Sequence, residues 1–177
     1  SGLAALAAVL CAIPVAYLNT RYRSWLGRFS EKVIYIGFAL PGIVIALALV
    51  LFAKDIQIYQ TIPLLIFAYV LRFLPQALGT TKTALLQTSP TLEEAARTLG
   101  YGPFQVFYRI TLPLIVPGLK AGAVLVFLTT VKELPVTCIV SPPGFESLAT
   151  RIWSYTEEGF FAKASVPSLV LITIAAL

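Results

Sequence analysis

Residues 33–53, VIYIGFALPGIVIALALVLFA, run for 21 positions without a charge. A helix rises about 1.5 Å per residue, so this run is long enough to cross a hydrocarbon layer about 30 Å thick. The pattern recurs along the chain. Residues 2–18 carry no charge, and residues 62–79 carry one, Arg72. Residues 114–137 are interrupted by Lys120 near the start and by Lys132 and Glu133 near the end. The last run, Ala164–Leu177, is 14 residues, too short to span, and stops while still apolar. With Ser1 opening an apolar run, the sequence reads as a piece of a longer chain. We therefore expect an all-α integral membrane protein with about five transmembrane helices, the last truncated. Continuous apolar runs, in place of alternation, argue against a membrane β-barrel. Only 12% of the residues are charged and mean hydropathy is +0.88. A soluble domain with about 25% charge covers its surface with groups this chain lacks. Pro14, Pro41 and Pro75 fall inside spans, and Pro41–Gly42 predicts a bend in the second.

Composition also removes chemistry. There is no histidine, and the two cysteines, Cys11 and Cys138, are far apart. That leaves no His-based acid–base pair, no His/Cys zinc site and no disulfide framework. We assign no metal site and no catalytic residue. The net charge of +5 is distributed as a membrane protein distributes it, so nucleic acid is not expected as a partner. Arg21, Arg23, Arg28 and Lys32 lie in the 19–32 loop, and Lys82, Arg97 and Arg109 in the 80–112 segment. The alternate loops, 54–61 and 138–162, hold Lys54 and Arg151. Basic loops stay inside, which places 19–32 and 80–112 in the cytoplasm.

The 80–112 segment contains SPTLEEAARTLGYGPFQVFYRITLP (Ser89–Pro113). Pro90 suits a first helical turn, Ser89 or Thr91 can cap it, and Thr91 with Glu94 matches a capping box. Glu93 and Glu94 stand near the positive end of the helix dipole, and Gly100 is a stop signal. Gly102–Pro103 starts a second short helix through Arg109, and ITLP returns to the membrane. The expectation is a two-helix knob in the cytoplasm, with Ala95 and Ala96 allowing close approach. A plain capped surface helix would have the same local chemistry.

The spacing adds to this. Glu94-Ala95-Ala96, then Gly100, then Ile110-Thr111-Leu112-Pro113 resembles the "EAA…G…I-LP" loop of permease subunits in binding-protein-dependent ABC importers. The order of spans is similar to that family's type I permease core over residues 1–177, which reads as a single transmembrane permease domain with 80–112 as its cytoplasmic coupling loop. The resemblance implies that Glu94, Ala95, Ala96 and Gly100 contact a separate ATP-binding cassette ATPase subunit. Glu93 is given a supporting place. No G-x-x-x-x-G-K-[ST] loop is present, so ATP belongs to that partner and the chain is neither an enzyme nor the holder of a cofactor.

Intramembrane charge marks candidates for the translocation path. Arg72 lies ten residues into its span, about 15 Å down, and Glu133 about 29 Å along its own, near the outer boundary. Arg72 is either a structural arginine on backbone carbonyls or part of the path. Glu133 either faces a cationic substrate or is a hydrated interfacial carboxylate. The runs AYVLRFLP and KELPVTCIVSPPGFESLAT resemble ferric-iron importer permeases, which implies ferric iron as the substrate, delivered by a solute-binding protein, and a second permease half or subunit. Trp153 and Tyr155 read as interfacial anchors, and Glu157 and Glu158 as acids able to meet the binding protein. The alternatives are thiamine, a polyamine or an oxyanion as cargo, or an ATP-independent channel or carrier. A membrane enzyme would need clustered acids or a nucleophile pair that the sequence does not show. The expected location is the bacterial inner membrane, with lipid as solvent.

Overall fold

A computed structural model describes residues 1–22 and 25–176. Arg23, counted above among the basic residues of the first loop, and Leu177 lie outside them. Every regular element among the described residues is helical.

Three long helices form the core, and small residues set how closely they approach. The first run forms α1 (Gly2–Tyr17), continued by a π-helical turn over Leu18–Tyr22. Ala4, Ala8, Ala12 and Ala16 recur every fourth position on one face, and all are fully buried. Such a ladder lets neighbouring backbones close up where no water drives association. It packs against α4 (Ile62–Gln87), which buries Leu64, Leu65, Ala68 and Leu78. The third core helix, α7 (Leu112–Val131), meets α4 through Gly118 and Gly122. A methyl group on Gly118 would stand 2.4 Å from Ala84 Cβ, and one on Gly122 would stand 2.4 Å from Thr80 Oγ1. Gly118 is therefore required by the contact, and at Gly122 the Thr80 side chain would have to move.

The second run differs from a gently bent span. It is two helices, α2 (Trp25–Ala39) and α3 (Gly42–Asp55), crossing at 109°. Pro41 lacks an N–H and disfavours helix at Leu40, so the chain breaks there and restarts with Val44 N–H bonded to Pro41 C=O at 3.0 Å. At 15 and 14 residues, α2 and α3 are each about 20 Å long, short of a crossing on their own. α2 also begins earlier than expected, so Arg28, Glu31 and Lys32 are helical rather than in a loop. Lys82 on α4 reaches Glu31 at 2.6 Å, and Asn19 Nδ2 donates to the same carboxylate at 2.9 Å.

Other boundaries move for similar reasons. α4 runs eight residues past the expected end of its span at 79. The helix through Arg109 is not a separate short one: α6 (Pro103–Val106) passes through a π-helical turn at Phe107–Thr111 into α7, giving 29 continuous residues. At the far end, α7 stops at Val131 and the chain folds back as α8 (Pro135–Val140) beside α3. Ser147 caps α9 (Leu148–Glu157) reciprocally with Thr150, and α10 (Phe161–Ala176) lies mostly outside the core. Among the described residues three helices are long and apolar enough to cross a membrane, or four with the bent pair as one crossing, and α10 is shorter.

Candidate functional site

The loop singled out by its motif folds as an elbow. Its first arm is α5 (Pro90–Thr98). Ser89 is the cap, its Oγ accepting from Thr91 N–H at 3.3 Å. The expected Thr91–Glu94 capping box is absent because Pro90 occupies the first helical position, which makes Ser89, two residues before Thr91, the cap. Gly100 ends the arm at φ +86°, where L-residues are strained. Its N–H bonds to Arg97 C=O at 3.0 Å, and Tyr101 N–H bonds to Ala96 C=O at 3.2 Å, the paired bonds of a Schellman stop. The second arm starts at Pro103, with Gly102 N–H held by Gln105 Oε1 at 3.2 Å. Nothing lies within 4 Å of a methyl group built on Gly100. Gly100→Ala should therefore cost only the backbone strain, about 1 kcal/mol, read as a modest drop in thermal midpoint with the fold retained.

The two adjacent acids part company, since successive helical residues point about 100° apart. Glu94 and Ala95 face outward. Glu93 and Ala96, three apart, face inward and are 3% and 2% exposed. Ala96, expected on the contact surface with Glu94, Ala95 and Gly100, and Glu93, expected to support it, are thus both turned towards the bundle. Glu93 Oε1 accepts from Arg21 Nε at 2.8 Å and from Thr111 Oγ1 at 3.1 Å, and Oε2 accepts from Tyr17 Oη at 3.2 Å. Arg21 also donates to Thr88 C=O at 3.1 Å. Outward of this anchor, Leu99 (78% exposed) and Phe104 (74%) flank Gly100, with the Tyr108 ring tilted against Phe104 at 4.9 Å between centroids. These apolar side chains were missed from the sequence. The available signal was two large apolar residues on either side of a glycine stop, where neither can reach a core.

A second site joins the two intramembrane charges. Arg72 Nε donates to Glu133 Oε2 at 3.2 Å, and Arg72 Nη1 donates to Leu40 C=O at 3.2 Å. They were expected at different depths. They meet because α7 ends at Val131, so Glu133 turns back over the bundle, while α4 brings the long Arg72 side chain up towards it. The Leu40 carbonyl lies at the Pro41 break, where a helix end leaves carbonyls without intrahelical partners. Gly42 completes the seat: a methyl group there would stand 2.9 Å from Glu133 Oε1 and 3.0 Å from Arg72 Cζ. Nearby, Tyr69 Oη and Thr137 Oγ1 share a buried hydrogen bond of 2.6 Å. Among the described residues no three Cys, Asp or Glu side chains gather into a metal-holding group.

Between these sites an open groove of about 880 Å³ follows α4 and α7, walled by Gly79, Thr83, Pro117, Gly118 and Ala121 and reaching Leu92 of α5. It is mostly apolar, with Gln76 of its wall bonded to Thr129 at 2.9 Å.

The chain was compared with known proteins. Over 179 residues it is 37% identical to the Fe(3+)-transport system permease protein FbpB 2 of Haemophilus influenzae, covering all of this chain and 35% of that protein. It is 27% identical to the putative 2-aminoethylphosphonate transport system permease protein PhnV of Salmonella typhimurium, over 98% of this chain and 66% of the relative. It is 26% identical to the spermidine/putrescine transport system permease protein PotC of Escherichia coli, over 88% and 59%. The chain thus spans about a third to two thirds of these relatives. Its fold matches a chain of the inward-facing MetNI methionine ABC transporter with a TM-score of 0.81 at 20% identity, over 98% of this chain and 83% of that one. The family described as binding-protein-dependent transport system inner membrane component matches residues 5–177, and the chain belongs to it.

Proposed function

We propose that the chain is part of the membrane-spanning permease of an ABC importer, forming one wall of the translocation path and passing the work of a separate ATPase subunit to it. The observation that carries this reading is the elbow. It presents Glu94, Ala95, Leu99, Gly100 and Phe104 outward on a frame anchored from behind by a buried ion pair. A rigid, partly apolar projection at the end of a lipid-soluble bundle is a surface for another protein. The basic residues near that end support a cytoplasmic position for it, with the Arg72–Glu133 pair then towards the outer side of the inner membrane. The ATPase subunit, a solute-binding protein and a second permease half are the partners. The α4–α7 groove is the surface we assign to the path between halves.

Ferric iron is the substrate this reading favours, because the iron permease relative matches the whole of this chain at the higher identity. The phosphonate and polyamine permeases match less well and name the competing cargoes. Arg72 is neutralised by Glu133, so neither is a bare binding charge in this conformation. Iron would be presented and released by the binding protein, not held by a cage in this chain.

The test is reconstitution of the full-length permease with its ATPase and binding protein, scoring ATP hydrolysis and iron-55 uptake. Glu94→Lys is expected to lower uptake about tenfold, within the usual range of coupling between sites, and to weaken retention of the ATPase subunit, with insertion unchanged. Full uptake with Glu94→Lys would contradict the docking role. Uptake of spermidine or 2-aminoethylphosphonate in place of iron would contradict the substrate.

A further inference from the structure

We infer that Glu93 is the positioning residue through which displacement of the elbow reaches the membrane helices, with the two π-helical turns as its compliant neighbours. This rests on the elbow being the contact for a motor subunit, as proposed above.

The geometry is specific. One carboxylate on α5 is bonded to three side chains from two other helices: Tyr17 at the end of α1, Arg21 in the π turn that follows it, and Thr111 in the π turn that leads into α7. Arg21 adds the Thr88 carbonyl, just past the end of α4. Four elements therefore converge on a single ion pair whose side chains are 9% and 4% exposed. The aromatic face of Tyr17 closes the node from the side, edge-on to Phe107 with ring centroids 5.5 Å apart. Glu94, one residue on, faces outward. The two acids divide the work: one meets the partner and the other holds the frame.

Both π turns among the described residues contribute a ligand to this carboxylate. A π turn carries one residue more than the α-helical register needs, so it can tighten or migrate while the helix stays intact, and such turns concentrate at functional sites. A buried charged hydrogen bond is short, directional and costly to leave half made. A stiff bond set between two yielding turns moves α1, α5 and α7 together and localises the deformation beside the joint. This supplies a physical element for coupling, which mere spatial proximity would not.

The test uses the complete transporter in proteoliposomes. Glu93→Gln keeps the shape and removes the charge. The expected result is normal retention of the ATPase subunit and near-normal ATP hydrolysis, with iron-55 taken up per ATP falling about tenfold. A substrate-free readout accompanies it: the distance between spin labels at Leu10 on α1 and Thr98 at the end of α5. In the parent this distance should stay in one narrow distribution when ATP and vanadate are added; in Glu93→Gln it should broaden or shift. If Glu93→Gln does not accumulate, Thr111→Val and Tyr17→Phe each remove one bond to the same carboxylate and should lower uptake per ATP several-fold. Unchanged uptake per ATP with an unchanged label distance would overturn the inference. So would loss of the ATPase subunit from Glu93→Gln, which would make Glu93 part of the docking surface. A parent protein that retains no ATPase subunit would instead refute the proposed function, and the label distances still score the joint.

Discussion

Arg72→Ala is expected to be among the most destabilising single substitutions in this chain, costing about 3 kcal/mol or more. It leaves Glu133, 9% exposed, without its cation, and takes away the donor that holds the Leu40 carbonyl at the helix break. Removing one member of a buried pair costs about 3–5 kcal/mol because the remaining charge stays desolvated. The lower end applies here, since the Arg72 side chain is 21% exposed. Arg72→Ala with Glu133→Ala leaves no orphan charge and should recover most of the loss. Arg72→Lys keeps the charge but not the two-pronged reach, and should fall between. Thermal unfolding of the parent, Arg72→Ala, Glu133→Ala and the double variant in nanodiscs gives the coupling energy directly. Additive losses in the double variant would show that the two residues do not act as a pair.

The second large effect is expected at Gly118. Its missing methyl group would stand 2.4 Å from Ala84 Cβ and 3.3 Å from the Thr80 carbonyl oxygen, both fixed to the α4 backbone. Relief requires α4 and α7 to separate, so Gly118→Val should reduce well-folded protein severely, beyond the roughly 1–3 kcal/mol typical of overpacking. The neighbouring glycine provides an internal control. Gly122 meets Thr80 Oγ1, the tip of a side chain that can rotate away. Gly122→Ala should therefore cost less than Gly118→Ala, although the two clash distances are equal. Recovery of monodisperse protein after size exclusion ranks them, and the reverse order would refute the packing argument.

What the sequence made legible was local. Uncharged runs, proline positions and a glycine stop each act within a few residues, so the helical membrane class, a bend at Pro41 and the end of α5 at Gly100 could be read directly, though not that the bend separates two helices. Gly118-x-x-x-Gly122 and the alanine ladder of α1 mark the contact faces but were not singled out from the sequence. What could not be read was which remote group a polar side chain would meet. Arg72 and Glu133 are 61 positions apart, and nothing in either neighbourhood specifies the other. Glu93 and Glu94 are chemically identical neighbours. Tyr17, Arg21 and Thr111 decide which of them turns inward, and those residues come from other helices. The angle of the α2–α3 break has the same origin. Proline permits a bend, and the Arg72 bond to Leu40 C=O helps hold the broken form at 109°.

The central claim is that the elbow meets a nucleotide-burning subunit with its outer face while its inner face grips the bundle. Site-specific photocrosslinking in native membranes tests it most directly, with a photoreactive residue at Leu99, Glu94 or Glu93 and a photoreactive ATP analogue to identify the captured subunit. Positions 99 and 94 are expected to capture an ATP-binding subunit, and position 93 to give only links within its own chain. Capture of that subunit from position 93 alone, or of a periplasmic protein from position 99, would contradict it.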